Sequence, residues 1–525
     1  MLAIVAVFAS FAVGAALLIL KSLFVYFRDE KGLRKFPGLT PLSPFTNLPY
    51  MWYAHRGWRY LAVHEAHRKL GPIVRVGPNS VSFNEIAAVK DILGHGSPAT
   101  KDTFYDLTAG THRHLADVSS KPDHSRKRRV LAAAFSQAGL EEWEHIVADR
   151  ARALIDQYDR SCFDPVYVPT PHTDPSLDDP KVVKGFVNHR QWMIVFAEDA
   201  IAQIGFSADL KLLEQGHDTV TVTDYHGQEK TFGYRESLWK SQRITTSLVW
   251  SSGWYKTLRR LTAWHPYWQH DERYNDMCLD LARRRLRRYQ NGEKLQDFFT
   301  HLFEDKYGNQ NMYPMGELVA EGNILLNAGS DTTGIALTNV IYRILSTPSA
   351  LAKLREELDA VLQPDEPVAP FDRIKHLPYL RACLDESMRL NPPNTMNTPR
   401  MTPPQGMSIN GHWIPGHTTV HCPPYNIHRN PQIFPAPEAF NPDRWLGEDG
   451  KELQQHFLTF SAGSRGCIGR NITYLEQIIV VASIVYRYDM ELLHPDWVLK
   501  QTESFTCSPG DMPLKLRRRT VQVKA

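Results

Sequence analysis

Residues 460–469 have the sequence FSAGSRGCIG, which places Cys467 between Gly466 and Gly469. Glycines on both sides of a cysteine let the backbone approach a flat ligand closely, because glycine carries no Cβ atom. Apolar residues then recur at helical spacing, at Ile468, Ile472, Leu475, Ile479 and Ala482. The stretch therefore predicts Cys467 at or just before a helix N-terminus, where free amides and the helix dipole stabilise a thiolate. By itself a cysteine between glycines is more often a structural thiol in a turn, so the interpretation depends on the rest of the sequence.

The composition of the 525-residue chain is that of a globular protein, with 42% hydrophobic and 22% charged residues. This balance excludes the disordered class. The length is compatible with three domains or with one large enzyme domain. Because 60 Lys and Arg residues face 57 Asp and Glu residues, the net charge of +3 gives no reason to expect nucleic acid as a partner. Six cysteines without a CxxC pair indicate a reducing compartment.

The first residues predict a single-pass membrane anchor at residues 1–27. Residues 2–20 carry no charged side chain, and with the apolar residues 23–27 they form a helix long enough for the ~30 Å core of a bilayer. A cleaved secretory peptide is disfavoured, because no basic residue precedes the apolar run. The basic residues follow it, which predicts a catalytic body on the cytosolic side. They are Lys21, Arg28, Lys31, Arg34 and Lys35.

The rest of the chain predicts one large domain, residues 51–525, behind a basic and proline-rich linker at residues 28–50. Residues 73–83 alternate around a Gly-Pro-Asn turn and predict a β-hairpin, whereas most of the chain beyond residue 83 predicts helix. The Pro- and Asp-rich residues 163–180 predict a surface loop. Residues 250–268 mix aromatic and basic side chains, and two interpretations stay open: a second membrane contact, or aromatic core with solvated cations.

The ten residues 460–469 resemble the haem-binding loop of the cytochrome P-450 superfamily and match its pattern throughout. The resemblance implies a mainly α fold with small β-sheets, in one large domain behind the N-terminal transmembrane helix. It implies haem b, iron protoporphyrin IX, with the Cys467 thiolate as the axial ligand that favours cleavage of the oxygen–oxygen bond. It also assigns Arg465 to a haem propionate, Phe460 to covering the sulfur and Gly469 to the contact with the cofactor.

Residues 315–345 are bounded by prolines and predict one helix of ~30 residues. Inside it, the sequence AGSDTT at residues 328–333 places hydroxyls after a glycine, where competition for backbone carbonyls should open the helix locally. This segment resembles the long central helix over the haem. The resemblance implies that Asp331 and Thr332 deliver protons for oxygen activation, which is a form of general acid catalysis.

Glu386 and Arg389 lie three residues apart in a predicted helix at residues 379–390, and an isolated pair of this kind contributes only about 0.2–0.5 kcal/mol. The pair resembles the ExxR motif of the superfamily, whose partner arginine corresponds to Arg444. The resemblance implies a structural role, a buried network that fixes the loop on the haem side.

Three further residues resemble propionate contacts of the superfamily. His124 and Arg128 are i,i+4 neighbours in a predicted helix, although the family most often has tryptophan where His124 stands. Arg400 lies after the Pro392-Pro393 turn and matches the third contact. The cations near His124 also suggest a basic surface for an acidic electron donor, with simple solvation as the alternative.

Residues 101–106, KDTFYD, and residues 124–129 resemble fungal microsomal members related to benzoate para-hydroxylases. This likeness implies a location in the endoplasmic reticulum membrane. Family position predicts a pocket for a small organic substrate, aromatic or a secondary metabolite. The predicted pocket residues are Phe104, Tyr105, Asn327, Asn394, Asn397 and Phe505.

These features predict a monooxygenase that inserts one oxygen atom of dioxygen into a small organic substrate. Electrons are expected from NADPH through a separate flavoprotein reductase, because no flavin- or nicotinamide-binding region fits into the remaining sequence. Two alternatives stay open: a haem-thiolate isomerase or dehydratase without an external reductase, and a non-catalytic haem sensor. The Asp331-Thr332 pair argues against the isomerase, since that chemistry needs no delivered protons.

Overall fold

Helices form most of the fold. The computed structural model describes residues 2–132, 134–170, 177, 179–304, 307–311, 313–364, 366–396 and 399–520, with the backbone alone at 2–8, 10, 11, 137, 138, 141 and 252. In chain order the helices are α1 (Leu2–Arg28), α2 (Leu48–Arg56), α3 (Arg59–Leu70), α4 (Ile86–Leu93), α5 (Phe104–Thr108), α6 (Lys121–Ala132), α7 (Gln137–Ser161), α8 (His189–Phe206), α9 (Leu212–Gln215), α10 (Tyr234–Leu248), α11 (Tyr255–Leu261), α12 (Tyr267–Gln290), α13 (Phe298–Phe303), α14 (Met315–Leu345), α15 (Pro348–Asp359), α16 (Phe371–Ile374), α17 (Pro378–Leu390), α18 (Pro424–Ile427), α19 (Gly447–Gln454) and α20 (Arg470–Arg487).

The strands are short and form small sheets. They are β1 (Ile73–Gly77), β2 (Ser80–Phe83), β3 (Thr100–Lys101), β4 (Val187–Asn188), β5 (Thr219–Thr223), β6 (Glu229–Gly233), β7 (Arg400–Met401), β8 (Met407–Ile409), β9 (His412–Ile414), β10 (Thr419–His421), β11 (Tyr488–Leu492), β12 (Gln501–Glu503), β13 (Cys507–Pro509) and β14 (Pro513–Arg518). The largest sheet has the order β1-β2-β10-β7-β3, and a second has the order β11-β14-β4. The other strands pair as β5-β6, β8-β9 and β12-β13.

The predicted hairpin is confirmed as β1 and β2, which pair antiparallel with Ile73 opposite Phe83. Strand β10 adds to β2 in parallel, with Val420 opposite Val81, and the remaining neighbours in this sheet are antiparallel. The side chains of Phe83, Val81 and Val420 are fully buried. The hairpin therefore forms one side of a sheet whose other strands include β7 and β10, more than 300 residues later in the chain.

Helix α14 runs through the core and packs against α8, α12, α17 and α20. The predicted helix at residues 315–345 is confirmed at both ends: Pro314 caps α14, and Pro348 opens α15. Close packing on α8 depends on Gly334, where a Cβ atom would lie 3.2 Å from the Cα of Ile194. Burial on nearly all sides explains why so much of this helix is apolar.

Helix α1 covers the residues predicted to anchor the chain. Across the part of the chain that the structure describes, no helix is both long and apolar enough to cross a membrane. The prediction for residues 1–27 includes Met1 and the side chains of 2–8, 10 and 11, which lie outside the described residues. The predicted loop at residues 163–180 likewise includes residues 171–176 and 178, which are not described.

The segment after α1 packs on the largest sheet. Leu33 and Phe36 are buried against Ile73 and Val81. The backbone N–H of Leu39 donates to the carbonyl of Arg75 at 2.8 Å. The predicted linker therefore does not stand away from the catalytic body as a free spacer, because its apolar side chains and backbone are bound into the sheet.

Candidate active site

The loop around Cys467 is tightly held by its own backbone. The N–H of Cys467 donates to the carbonyl of Phe460 at 2.9 Å, and a short 3₁₀ turn spans Gly463–Arg465. Gly463 has a φ of +69°, and a Cβ atom there would lie 2.1 Å from the carbonyl oxygen of Leu93. Helix α20 begins at Arg470, three residues after the cysteine. The predicted position of Cys467 just before a helix N-terminus is confirmed.

The Cys467 side chain is open to solvent although protein surrounds it. All six cysteines are described, and Cys467 is the exposed one, whereas Cys162 is half-buried and the rest are buried. Burial raises the pKa of its thiol, while the N–H of Gly469, the Arg128 guanidinium and the N–H of Arg470 oppose that rise without cancelling it. A metal cation bound to this sulfur would complete the stabilisation of the thiolate, since metal ligation requires the deprotonated form.

Positive charges converge beside this loop. Burial and then the charges of Arg465, Lys101, Arg128 and Arg400 lower the pKa of His124 to about 3, so its imidazole is neutral. In the described residues no carboxylate forms an ion pair with Arg128, Arg400 or Arg465. Instead, Arg465 donates to the carbonyls of Val118 and Ser119, and Arg128 donates to that of Gly466.

This cationic cluster of Lys101, Arg128, Arg400 and Arg465, with the neutral imidazole of His124 among them, favours an anionic occupant. Like charges gathered in a partly buried place destabilise the fold unless an anion compensates them. A flat iron complex with two carboxylate side groups would satisfy both the open thiol and these cations. The residues present therefore fit a haem, with its propionates among the cations and its iron at the sulfur.

The sequence did not identify Lys101 as a member of the cluster. Its ammonium group donates to the carbonyl of Ala116 at 2.6 Å and lies over the ring of Tyr105. Burial, followed by the charges of Arg465 and Arg400, lowers the pKa of Lys101 to about 7. A lysine in a two-residue strand has no local feature that marks it, and its neighbours come from elements far along the chain.

The exposed face of α14 marks an opening in the core. Ala328 is exposed in the middle of a helix whose neighbouring Leu325, Leu326 and Ser330 are buried, and Thr332 is half-buried. The Thr332 hydroxyl donates to the carbonyl of Ala328 at 2.7 Å, and that of Ser330 donates to Leu326 at 2.6 Å. These bonds are the expected ones, but α14 is continuous from Met315 to Leu345. The prediction of an opened turn was wrong, because here the hydroxyls share the carbonyls with the helix rather than displacing it.

Asp331, one turn after Ala328 on α14, is buried, with only 1% of its surface exposed. It forms a buried ion pair with Arg235 of α10 and accepts a hydrogen bond from the Thr506 hydroxyl. Arg235 also donates to the Ser508 hydroxyl at 3.3 Å. The structure thus joins α10, α14 and the β12–β13 hairpin at one carboxylate. Neither Arg235 nor Thr506 could be associated with Asp331 from the sequence.

A second acid that the sequence did not single out touches α14 from α20. The Thr333 hydroxyl donates to Glu476 Oε2 at 3.0 Å, and Glu476 Oε1 has no hydrogen-bond partner in the described residues. Burial raises the pKa of Glu476 to about 8, so the side chain is largely protonated at neutral pH. The available signal was a lone acid in an otherwise apolar helical run nine residues after Cys467.

The structure brings Glu386, Arg389 and Arg444 together. Arg389 donates to both carboxylate oxygens of Glu386 at 2.7 and 2.8 Å, and Arg444 donates at 3.0 Å. Trp445 Nε1 adds a fourth bond at 2.9 Å. Arg389 also donates to the carbonyl of His428, whose Nε2 accepts the N–H of Leu458 at 2.8 Å. The network therefore reaches the segment that leads into the cysteine loop.

Aromatic rings from three separate segments stack where the pocket was predicted. Phe104 lies 4.9 Å from Trp250 and 6.3 Å from Phe505, with interplanar angles of 21° and 14°. Tyr105 meets Phe104 edge to face at 5.5 Å. Phe505 keeps 37% of its surface exposed. The sequence had placed Trp250 only in a general aromatic stretch, not in the pocket.

Two asparagines complete the described pocket residues. Asn327 Oδ1 accepts from Gln242 Nε2 at 3.0 Å, and the Ser504 hydroxyl lies 3.4 Å from the other end of the Gln242 amide. Asn394 is half-buried and lies four residues after the end of α17. The predicted residue Asn397 lies outside the described part of the chain.

Residues 250–268 combine buried and exposed aromatic side chains. Trp250 packs edge to face on Tyr50 at 5.3 Å, and Tyr255 is buried, as expected of aromatic core. Trp254 and Trp264 are 55% and 79% exposed. The first part of the stretch is therefore mostly core, and the second part carries aromatic side chains on the surface.

The chain is similar to known proteins along most of its length. The sequence matches the family Cytochrome P450 over residues 37–516. The chain belongs to the cytochrome P450 family. This P450 is 27% identical over 524 residues to the benzoate 4-monooxygenase bphA of Aspergillus niger, with 96% of each chain covered. It is 29% identical over 510 residues to the cytochrome P450 monooxygenase cicH of Emericella nidulans, covering 94% of this chain and 95% of that one.

A third relative is the tryprostatin B 6-hydroxylase of Aspergillus fumigatus, 27% identical over 527 residues, with 97% of this chain and 84% of the relative covered. In structure, this P450 resembles the cytochrome P450DA heme domain with a TM-score of 0.73 at 18% identity, covering 93% of this chain and 99% of that one. The fold is therefore the P450 fold, mainly helical with small sheets. The protein is a cytochrome P450 monooxygenase whose cofactor is haem held by a cysteine thiolate.

Proposed function

We propose that Cys467 is the thiolate that holds the haem iron. The observation that supports this assignment is the exposed sulfur of Cys467, just before α20. It lies beside a cationic cluster that has no carboxylate partner among the described residues. When bound, haem supplies the oxygen-activating chemistry. The test is the absorption spectrum of the reduced protein under carbon monoxide. Cys467→Ser should abolish the red-shifted Soret band of thiolate ligation, and the control Cys162→Ser should keep it. A Cys467→Ser protein that retains the band overturns the assignment.

The cationic cluster is proposed to bind the two propionates. Arg128, Arg400 and Arg465 would supply charge-assisted hydrogen bonds, His124 a neutral donor, and Lys101 an ammonium group. Gly469 is proposed to contact the cofactor and Phe460 to cover the sulfur, and the Phe460 ring lies 5.4 Å from that of Tyr474. Lys101→Met should lower haem occupancy after gel filtration, while Lys90→Met, on α4, should not. Equal occupancy in both variants counts against the role of Lys101.

Thr332 and Asp331 are proposed to deliver protons for oxygen activation on the exposed side of α14. The Thr332 oxygen retains lone pairs that can accept from a bound water, while its own proton is held by the Ala328 carbonyl. Asp331 is held by Arg235 and Thr506, so it can take part only after its carboxylate turns from these partners. The buried ion pair therefore requires Asp331 to leave Arg235 before it can transfer a proton.

The proposed substrate is a small aromatic molecule with a hydrogen-bonding group. Stacked rings at Phe104, Trp250 and Phe505 favour a planar ligand, and the names of two relatives specify benzoate and tryprostatin B. Asn394 is proposed to contact the polar group. An Asn394→Leu variant should lose affinity for such ligands in absorption titrations, and unchanged affinity for all of them would remove Asn394 from the site.

Electrons are proposed to come from NADPH through a separate flavoprotein reductase. The family match over residues 37–516 includes the haem site proposed above, and dioxygen activation there requires electrons from a donor. Purified protein should consume NADPH and form product only when a reductase is added. Turnover without reductase would refute this. The isomerase and sensor alternatives have no support from relatives that are named monooxygenases.

Residues 1–27 are proposed to anchor the protein in the endoplasmic reticulum membrane, with the catalytic body in the cytosol. The support is the uncharged run at residues 2–20 and the basic residues that follow it. Alkaline carbonate extraction of microsomes should leave the full chain in the pellet. Recovery of the full chain in the supernatant would contradict the anchor.

A further inference from the structure

We infer that the substrate of this P450 is uncharged, neither a carboxylate nor an amine. The inference rests on the proposed function and narrows its substrate class. The elements that carry it are bonded to the exposed part of α14. Helix α10 bonds Asn327 and Asp331, and the β12–β13 hairpin bonds Asp331 through Thr506, next to Phe505 of the ring stack.

Two acids on these elements, Asp331 of α14 and Glu503 of β12, are already paired. Asp331 is bound by Arg235 and Thr506. Glu503, at the end of β12, forms a 3.0 Å ion pair with Arg59 in which both side chains are buried, and it accepts a further bond from the Thr395 hydroxyl. A cationic substrate could therefore bind Asp331 or Glu503 only by breaking the ion pair that this acid forms with its arginine.

Three arginines that the structure describes on or beside these elements are occupied in the same way. Arg235 and Arg59 belong to the two ion pairs, and Arg243 of α10 donates to the backbone carbonyls of Ala54, His55 and Glu503. Lys101 belongs to the cationic cluster proposed for the propionates. A carboxylate substrate could bind Arg235 or Arg59 only by breaking the ion pair of that arginine with Asp331 or Glu503. The buried acid would then be left without its partner.

The walls of the opening offer aromatic surface and the amide group of Asn327. Asn327 Oδ1 is fixed by Gln242 at 3.0 Å, which leaves the two N–H bonds of its Nδ2 to point the other way. A neutral carbonyl, ether or hydroxyl oxygen suits such a donor without any change in charge. The pocket of this P450 is therefore expected to take a neutral ligand, whereas the name of the benzoate 4-monooxygenase relative specifies a carboxylate for that protein.

Matched ligands test this on the oxidised, haem-loaded protein. We would titrate 2-naphthamide, 2-naphthoate, 2-naphthylmethylamine and naphthalene, following the haem absorption shift and, independently, equilibrium dialysis. The amide should bind at least about tenfold more tightly than the carboxylate or the amine at pH 7.5. The apparent Kd of naphthoate should rise about tenfold per pH unit from pH 5.5 to 7.5, because only its neutral form binds, whereas that of the amide should stay constant.

Asn327→Leu should weaken the amide about tenfold and leave naphthalene unchanged. The control Asn323→Leu lies one turn earlier on α14 and bonds Asn275, so it should change neither. Naphthoate binding that equals the amide and is independent of pH would overturn the inference, as would a panel in which no uncharged compound binds. Neither outcome touches the Cys467 assignment, which is judged by the carbon monoxide spectrum alone.

Discussion

At the scale of single residues, the hydroxyl of Thr332 is hydrogen-bonded to the exposed Ala328. Thr332→Ala should uncouple electron use from oxidation, because a water near the oxygen-binding side loses its hydroxyl partner. Product per NADPH should fall at least about tenfold, because positioned proton transfer contributes about 10²–10⁴-fold to a rate, whereas Thr332→Ser should retain most of the yield. The measurement is product and NADPH in the same reaction. An unchanged yield in Thr332→Ala would contradict the proton role.

Glu476 gives a pH-dependent prediction. Its pKa is raised to about 8 in the folded protein, so the unfolded chain releases this proton at much lower pH than the folded one does. Its unfavourable contribution therefore grows as pH rises from about 4.3 to 8, by at most about 1.4 kcal/mol per pH unit. Glu476→Gln should stabilise the protein increasingly over that range, measured as thermal midpoints between pH 5 and 8. Exposed Glu452→Gln is the control, and parallel curves for wild type and Glu476→Gln would disprove the raised pKa.

Residue identities were predictable where the chemistry is local and not where it is distant. Cys467, Glu386 and Arg389 lie in short patterns whose spacing carries the information. Arg235 and Thr506 are 96 and 175 positions from the carboxylate they hold. No periodicity or spacing links residues that only the packing of separate elements brings together.

At the scale of elements, α17 is bound to the segment before the cysteine loop through Glu386. Glu386→Gln leaves Arg389 and Arg444 partly uncompensated in a buried place, and we expect a loss of about 3–5 kcal/mol in unfolding free energy together with reduced haem retention. Glu448→Gln breaks an exposed pair with Lys451 at the same i,i+3 spacing and should cost at most about 1 kcal/mol. Denaturant unfolding of the two variants provides the comparison. Similar losses in both would show that burial does not strengthen the network.

Element prediction was most accurate where the local signals are strong. Helix α14 was predictable because prolines mark both of its ends. The β1–β2 hairpin was predictable because a clear turn sequence joins its two strands. Strands β3 and β7 have two residues each and pair across nearly 300 positions, too short and too distant for any alternating pattern. The opened turn in α14 was predicted from hydroxyls that compete for carbonyls, but packing against α8 keeps the helix continuous.

At the scale of the whole molecule, electron supply gives the last prediction. Because the electron donor is proposed to be a separate reductase, the purified protein should oxidise no NADPH by itself, and turnover should rise in proportion to added reductase until saturation. Added salt should reduce this rate if opposite charges on the two proteins guide docking. NADPH oxidation is followed by absorbance at constant substrate. A rate that is independent of reductase would contradict the separate donor.

The short connection between α1 and the sheet restricts how the catalytic body can turn. Only residues 29–32 lie between the end of α1 and the 3₁₀ turn at Leu33, a stretch of about 14 Å when fully extended. Lys31 shortens it further by bonding Asn79 at 2.7 Å. With α1 embedded as proposed, the body would be unable to swivel, and the same side would face the lipid in every catalytic cycle. Compounds dissolved in the bilayer would then always approach this enzyme from one direction.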